Sequence, residues 1–218
     1  MARFRFRTPW ATAPRLGRMI KSGEHRDKDK GILTDVFSGD DGFRLEQGGL
    51  DTYQGFRHQE PNLVSIVDGK PEMAKNLDAL VFRIKGIPIG AVSYLVQRNT
   101  HKSPPKDFYG RIDIVIVPGS ARGAGLGRLL LLSANLVMLR GHGSSLYSIS
   151  CLAAHPAVAA VLESMGYTPA RRENTSFVHE ELRLEGEDWQ NLERDFSIRL
   201  RQSFQQVRYS LRQQIVNG

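Results

Sequence analysis

Residues 118–131, PGSARGAGLGRLLL, lie between a β-branched run and a leucine-rich run, and three of their glycines, Gly123, Gly125 and Gly127, alternate with other residues. The β-branched run, residues 112–117, predicts a strand, and residues 126–139 have the length and composition of a helix. Glycines at such a junction leave bare backbone N–H groups at a helix N-terminus, where the helix dipole favours an anion. The segment therefore predicts a strand, an anion-binding loop and a helix in succession.

Two common phosphate-binding patterns do not fit this segment. A P-loop needs G-x-x-x-x-G-K-[ST], and the Lys and the following Ser or Thr are missing here. A dinucleotide fingerprint would need a third glycine at Arg128 or at Leu130. It also needs an acidic residue about 20 residues further on, but there is no Asp or Glu between Asp113 and Glu163. The acid-free stretch keeps the electrostatic field near the loop positive.

The loop and a later segment share a pattern with one known superfamily. Residues 122–127, RGAGLG, resemble the R/Q-x-x-G-x-G/A loop of the GNAT superfamily of N-acetyltransferases. Residues 155–167, HPAVAAVLESMGY, are similar to a later helix of that family, including its E-x-x-G-aromatic ending. The resemblance covers about residues 76–185. It implies the acyl-CoA N-acyltransferase fold, an α/β (α+β) fold with a mixed, mostly antiparallel central sheet flanked by helices.

The same resemblance implies an activity and a set of binding residues. The expected reaction moves an acetyl group from acetyl-CoA, or another acyl group from its acyl-CoA, to an amine by direct attack in a ternary complex without a metal. The loop is expected to bind the pyrophosphate of coenzyme A, and the amides at the end of the preceding strand to hold the thioester carbonyl. The predicted cofactor-binding residues are Val115, Ile116, Val117, Arg122, Gly123, Ala124, Gly125, Leu126, Gly127 and Arg128.

Asp113 and His155 are the candidate catalytic residues. Strand alternation places Asp113 on the face of Val115 and Val117, and a carboxyl in an apolar strand can act as a general base. An ion pair of Asp113 with Arg111 is the structural alternative. His155 lies at the start of the later helix. It is expected to act as a general base, as a general acid, or only as the N-terminal residue of the helix. The tyrosine that often protonates the departing thiolate in the family is replaced by Leu162.

The chain divides into three predicted regions. Residues 1–50 are a basic arm and loops, residues 51–185 the GNAT-like acyl-CoA-binding domain, and residues 186–218 a long C-terminal amphipathic helix. The helix either packs on its own domain or forms a homodimer with a second chain. Its apolar stripe steps by three or four residues through Trp189, Leu192, Phe196, Leu200, Phe204, Val207, Leu211 and Ile215.

The composition of the chain indicates which partners it could bind and in which cellular compartment it is expected. The 218-residue chain carries a net charge of +7, and residues 1–30 hold nine Lys or Arg against three acids. Such an arm suits nucleic acid or shapes the acceptor site. A single cysteine, Cys151, favours a reducing, cytoplasmic location, and no apolar run approaches the ~20 residues of a membrane span.

Two alternative functions remain open on the same fold. One is a non-catalytic acyl-CoA-binding protein, and the other is a nucleic-acid- or ribosome-associated protein. The acceptor is expected to be selected by loops near residues 50–75 and 97–110, which carry no recognisable signature.

Overall fold

The computed structural model describes residues 33, 42–59, 68, 70–98, 107–153, 155–170, 178–184 and 189–217. Residues 1–30, which carry the charge of the predicted basic arm, lie outside these residues. The strands are β1 (Phe43–Gln47), β2 (Leu77–Ile84), β3 (Ile87–Arg98), β4 (Phe108–Ile116), β5 (Leu146–Ala153), β6 (Thr168–Ala170) and β7 (Val178–Arg183). The helices are α1 (Leu50–Gln59), α2 (Pro71–Ala74), α3 (Leu126–His142), α4 (Pro156–Glu163) and α5 (Trp189–Asn217).

The described strands form one seven-stranded sheet in the order β1-β2-β3-β4-β5-β7-β6. β4 and β5 are parallel, and the other neighbouring pairs are antiparallel. The helix α3 makes the crossover that two parallel strands require. These observations confirm the predicted mixed, mostly antiparallel sheet with flanking helices and a long C-terminal helix.

The edge strand β1 lies in a region that the sequence analysis assigned to arm and loops. It pairs antiparallel with β2, and its Phe43 ring lies 6.1 Å from the rings of both Phe82 and Phe204. A five-residue strand carries too few alternations to stand out in a sequence. Its pairing and its aromatic contacts come from residues distant in the chain.

Helices cover the two faces of the sheet unequally. Leu80 and Phe82 of β2 belong to the larger core cluster, together with residues of α3 and α5. Ala79 and Val81, which alternate with them along the strand, belong to a smaller cluster beneath α1. Successive strand residues point to opposite faces, so β2 contributes to both layers. Among the described residues, the helix that contributes side chains to the smaller cluster is α1.

The helix α3 is the central buried element. Its polar residues Ser133 and Asn135 are fully buried and bond back to its own carbonyls, with Ser133 Oγ donating to Leu129 O at 2.8 Å and Asn135 Nδ2 to Leu131 O at 2.9 Å. Asn135 Oδ1 also accepts a hydrogen bond from the Tyr167 hydroxyl at 2.7 Å. The two polar interruptions in the leucine-rich run are therefore satisfied within the core.

The helix α5 lies against α3 and places five residues of its predicted stripe in the chain's own core. Arg140 of α3 joins the two helices, because its guanidinium donates to Glu193 at 2.8 Å and to Ser197 at 3.1 Å. The buried members of the stripe are Phe196, Leu200, Phe204, Val207 and Leu211.

Candidate active site

The glycine loop connects the end of β4 to the start of α3. Gly123 and Gly125 have φ angles of +83° and +82°, a left-handed conformation that side-chain-bearing residues rarely adopt. Gly125 is the N-cap of α3, and its carbonyl accepts the first helical bond from Leu129 N at 3.1 Å. The amides of the first helical turn have no carbonyl of the helix to bond. The loop therefore presents backbone donors at the positive end of a helix.

Arginines flank these donors. Arg122 and Arg128 are both exposed, and the Nε of Arg122 donates to the Val117 carbonyl at 3.1 Å. This bond ties the arginine back to the segment that follows β4. The first turn of α3 contains no acidic residue. Backbone N–H groups and guanidinium groups both attract anions, and the loop carries both. It therefore suits a diphosphate.

Beside the loop, β4 and β5 part. Their parallel pairing runs from Phe108 to Ile112 on β4, whereas β4 continues to Ile116. Beyond Ile112 the edge of β4 therefore borders a gap where β5 no longer follows it. The predicted carbonyl-binding residues Val115 and Ile116 lie on this stretch, and Val117 follows directly.

A β-bulge sits where the gap opens. On β3, Ser93 pairs with Ile114 and the next residue, Tyr94, pairs with Ile112, so the register skips Asp113. Ser93 Oγ spans the irregularity by accepting the Ile114 amide at 3.2 Å and donating to Asp113 Oδ2 at 3.1 Å. Bulges re-aim the side chains of the strand that carries them.

The bulge overturns the predicted orientation of Asp113. Strand alternation placed it with Val115 and Val117, but those two valines pack against the larger core on the α3 face. The Asp113 carboxylate instead lies beneath α1, where Oδ2 accepts the Tyr53 hydroxyl at 3.3 Å. The extra residue in β4 shifts the alternation by one position. Asp113 is buried, with 7% of its surface exposed.

Tyr53 is a site residue that the sequence analysis missed. Burial, with the Asp113 charge adding to it, raises the pKa of Tyr53 to about 12, although a hydrogen bond with Ser93 opposes this rise. The phenol therefore remains a proton donor to Asp113 across the physiological range. The sequence signal was the spacing of Leu50, Tyr53 and Phe56, which places three apolar residues along one side of a short helix.

The structure places His155 at the N-terminus of α4. Its Nδ1 accepts the Ala157 amide at 3.1 Å, and the residue is the N-cap of α4. The ring is exposed. These contacts give His155 a structural role as a helix cap. Its participation in proton transfer stays a prediction.

Two other residues from the sequence analysis, Leu162 and Cys151, are core residues. Leu162 of α4 is fully buried in the larger cluster. Burial raises the pKa of the Cys151 thiol to about 12, with the Asp113 and Glu180 charges adding to the rise. A thiol in that state is not a nucleophile at neutral pH.

Within the described parts of the chain, no three His, Cys, Asp or Glu side chains come together as a metal-binding group. Across the same residues, every helix is too short or too polar to cross a lipid bilayer.

No family model matches the chain, and no curated protein matches its sequence. Among solved structures, Arabidopsis thaliana NAA60 in complex with acetyl-CoA is 10% identical, with a TM-score of 0.52 over 66% of this chain and 99% of that one. Arabidopsis thaliana Naa50 with a bisubstrate analogue is 12% identical, with a TM-score of 0.49 over 65% and 98%. A Desulfovibrio desulfuricans protein described as a GNAT-family acetyltransferase is 11% identical, with a TM-score of 0.47 over 65% and 98%. The likeness to NAA60, together with the sheet order and the glycine loop, identifies the chain as a GNAT-fold protein.

Proposed function

We propose that the chain is an acyl-CoA-dependent N-acyltransferase, with acetyl-CoA as the expected donor and an amine as the acceptor. The observation that carries this proposal is the loop of Gly123 and Gly125 at the N-terminus of α3, beside the gap between β4 and β5. NAA60, which has the same fold, was crystallised with acetyl-CoA. That complex supports an acyl-CoA ligand for this fold.

The residues of the loop and of β4 suit two parts of such a ligand. The amides of residues 123–128, with Arg122 and Arg128, would hold the diphosphate of coenzyme A. The backbone of residues 115–117 would polarise the thioester carbonyl, because donors aimed at a developing oxyanion stabilise it. The bound acyl-CoA supplies the activated thioester carbonyl.

Asp113 is the proposed general base. Attack requires a neutral amine, and the amine loses a proton as the amide bond forms. Tyr53 and Ser93 both donate to Oδ2 of Asp113, which fixes the orientation of the carboxylate beside the bulge. A positioned carboxylate can take that proton directly or through one water molecule.

The departing thiol needs little assistance. An unperturbed thiol has a pKa of about 8.5, so its thiolate is a fair leaving group at neutral pH. The buried Leu162 offers no proton where relatives often carry a tyrosine. His155 stays a candidate through the ring nitrogen that does not cap α4.

The test of the proposal compares two glycines in the same backbone conformation. Gly125 has φ +82° in the loop, and Gly86 has φ +81° in the turn between β2 and β3. Replacing either by Ala strains the backbone by about 1–2 kcal/mol. We expect Gly125→Ala to weaken acetyl-CoA binding at least tenfold in isothermal titration calorimetry, and Gly86→Ala to leave it unchanged. Equal affinity in the two variants, or no binding by the unaltered chain, would contradict the proposal.

A non-catalytic acyl-CoA-binding protein is the alternative, and Leu162 favours it. A thiol-release assay with a panel of amines separates the two functions. Acetyl-CoA binding without thiol release from any amine would favour the binding protein. The nucleic-acid alternative rests on the basic arm, which lies outside the described residues.

A further inference from the structure

Val207 of α5 lies next to the glycine loop but has no part in the proposed mechanism. Its side chain is fully buried in the larger core cluster. A Cβ atom placed on Gly125, the N-cap of α3, would lie 3.7 Å from Cγ2 of Val207, which is ordinary van der Waals contact. Apart from the chain neighbours of Gly125, no other side chain of the described residues comes within 4 Å of that position. The C-terminal helix therefore reaches the loop at the residue where α3 begins.

The helix α5 runs antiparallel to α3 along the length of that helix. At the end of α3, Arg140 donates a hydrogen bond to Glu193 near the start of α5, at 2.8 Å. At the start of α3, Gly125 lies beside Val207. The chain from Gly125 to Arg140 and the chain from Glu193 to Val207 each span about 21–23 Å of helix. The matching lengths fix the position of Val207 along the loop.

A second contact holds α5 against α4. The guanidinium group of Arg199 donates to the carbonyl oxygen of Ser164, the C-cap of α4, at 2.6 Å. It also forms an ion pair with Asp195, one turn earlier on α5, at 2.7 Å. The helix α3 follows β4 and the helix α4 follows β5, the two strands that part at the gap. The helix α5 therefore contacts both helices that follow the parted strands.

The glycine loop benefits from an external contact of this kind. Gly123 and Gly125 both have left-handed φ angles, and glycine loses more conformational freedom on ordering than any other residue. As a glycine, Gly125 has no side chain with which to cap α3. A loop that already has its binding conformation loses less entropy when the ligand binds. Packing against Gly125 restricts the loop before a ligand arrives.

We propose that Val207 is a positioning residue for the proposed coenzyme site. By packing against the N-cap of α3, it keeps the backbone amides of residues 123–128 in the geometry that binds a diphosphate. This inference rests on the proposed function. Val207 acts through Gly125 and does not have to touch the coenzyme. The C-terminal helix thereby belongs to the coenzyme site as well as to the core.

Calorimetric titration with acetyl-CoA compares Val207→Ala with Leu200→Ala. Leu200 is fully buried in the same stripe of α5, about 10 Å before Val207, and its truncation to Ala is the larger of the two. We expect Val207→Ala to weaken acetyl-CoA binding about fivefold, which is a usual size for coupling through a packed side chain. We expect Leu200→Ala to leave the affinity unchanged, with circular dichroism showing that both variants are folded. Unchanged affinity in Val207→Ala, or an equal loss in both variants, would overturn the inference.

Val207→Thr separates packing from stability. Threonine has nearly the shape of valine but places a hydroxyl group in the core, so it should lower the free energy of unfolding. Because it keeps the packing against Gly125, we expect it to bind acetyl-CoA as tightly as the unaltered chain. A loss of affinity as large as that of Val207→Ala would show that affinity follows stability, which contradicts a positioning role.

A second measurement needs no coenzyme. The amide of Leu129 donates the first hydrogen bond of α3 to the Gly125 carbonyl, so exchange of its hydrogen reports opening at the loop. We expect this exchange to be about fivefold faster in Val207→Ala than in Leu200→Ala, because only the first variant loosens the N-cap. Equal exchange in the two variants, or faster exchange in Leu200→Ala, would overturn the inference.

The two measurements separate this inference from the proposed function. If the unaltered chain and both alanine variants bind acetyl-CoA equally well, the positioning role is wrong and the proposed function stands. If the unaltered chain does not bind acetyl-CoA, the proposed function is wrong, and the inference about the coenzyme site is overturned with it. The exchange rates then still show whether Val207 holds the loop.

Discussion

At the scale of single residues, the β-bulge at Asp113 shows how one extra residue in a strand determines which groups contact a carboxylate. The bulge directs its carboxylate beneath α1 rather than towards α3, and Tyr53 and Ser93 then donate to the same oxygen. A carboxylate oriented in this way is suited to accept a proton. A carboxylate in an unbroken strand would instead share the face of Val115 and Val117.

Tyr53→Phe is expected to destabilise the chain by about 1–3 kcal/mol, because it removes a donor from a buried carboxylate. Urea unfolding at pH 7 measures this change. Tyr209→Phe, the same substitution at a residue that is 67% exposed, is the control and should change stability little. Equal effects in the two variants would show that the Tyr53–Asp113 bond does not stabilise the fold.

The same tyrosine predicts a pH dependence. Its pKa is raised from 10.0 to about 12 in the folded chain, so the stability linked to its proton is full below pH 10. That stability is lost as the pH rises towards 12. In Tyr53→Phe this decrease should be smaller than in the unaltered chain when unfolding is measured from pH 9 to 11.

At the scale of elements, the close approach of α3 to the sheet depends on Gly90 of β3. A Cβ atom at this position would lie 2.9 Å from Leu126 Cδ2 and 3.2 Å from the carbonyl oxygen of Ile116. Leu126 opens α3 and Ile116 ends β4. The glycine therefore sets the spacing between the two elements on either side of the anion-binding loop.

Gly90→Ala should cost about 1–3 kcal/mol of folding stability, because an added methyl group overpacks this contact. It should also weaken acetyl-CoA binding by moving the N-terminus of α3. Gly141→Ala, where nothing lies within 4 Å of the added atom, is the matched control in α3. Urea unfolding and calorimetry compare the two variants, and an unchanged affinity in Gly90→Ala would contradict this account of the loop.

At the scale of the whole molecule, α5 joins the last part of the chain to its first described strand. Phe204 packs edge-on against Phe43 of β1 and Phe82 of β2. The contact closes the core over residues more than 100 positions apart in the sequence. Five residues of the apolar stripe of α5 are buried inside the chain. A homodimer through this helix stays a prediction, and it would have to use another face of the helix.

Phe204→Ala is expected to cost about 3–5 kcal/mol, because it leaves a cavity against the rings of Phe43 and Phe82. Tyr209→Ala, on the exposed side of the same helix, should change stability by less than about 0.5 kcal/mol. Thermal and urea unfolding both measure the difference. A small effect at Phe204 would mean that α5 is not part of the cooperative core.

The sequence by itself determined the strand–loop–helix unit and the amphipathic stripe of α5. These features depend on local periodicity and on glycines at alternate positions, and the predicted fold is confirmed. The short edge strand and the bulge at Asp113 depend on hydrogen bonds between strands, which sequence spacing does not encode. The hydrogen bond of Tyr53 to Asp113 was likewise decided only by the tertiary structure, because it depends on which distant residues the fold brings together.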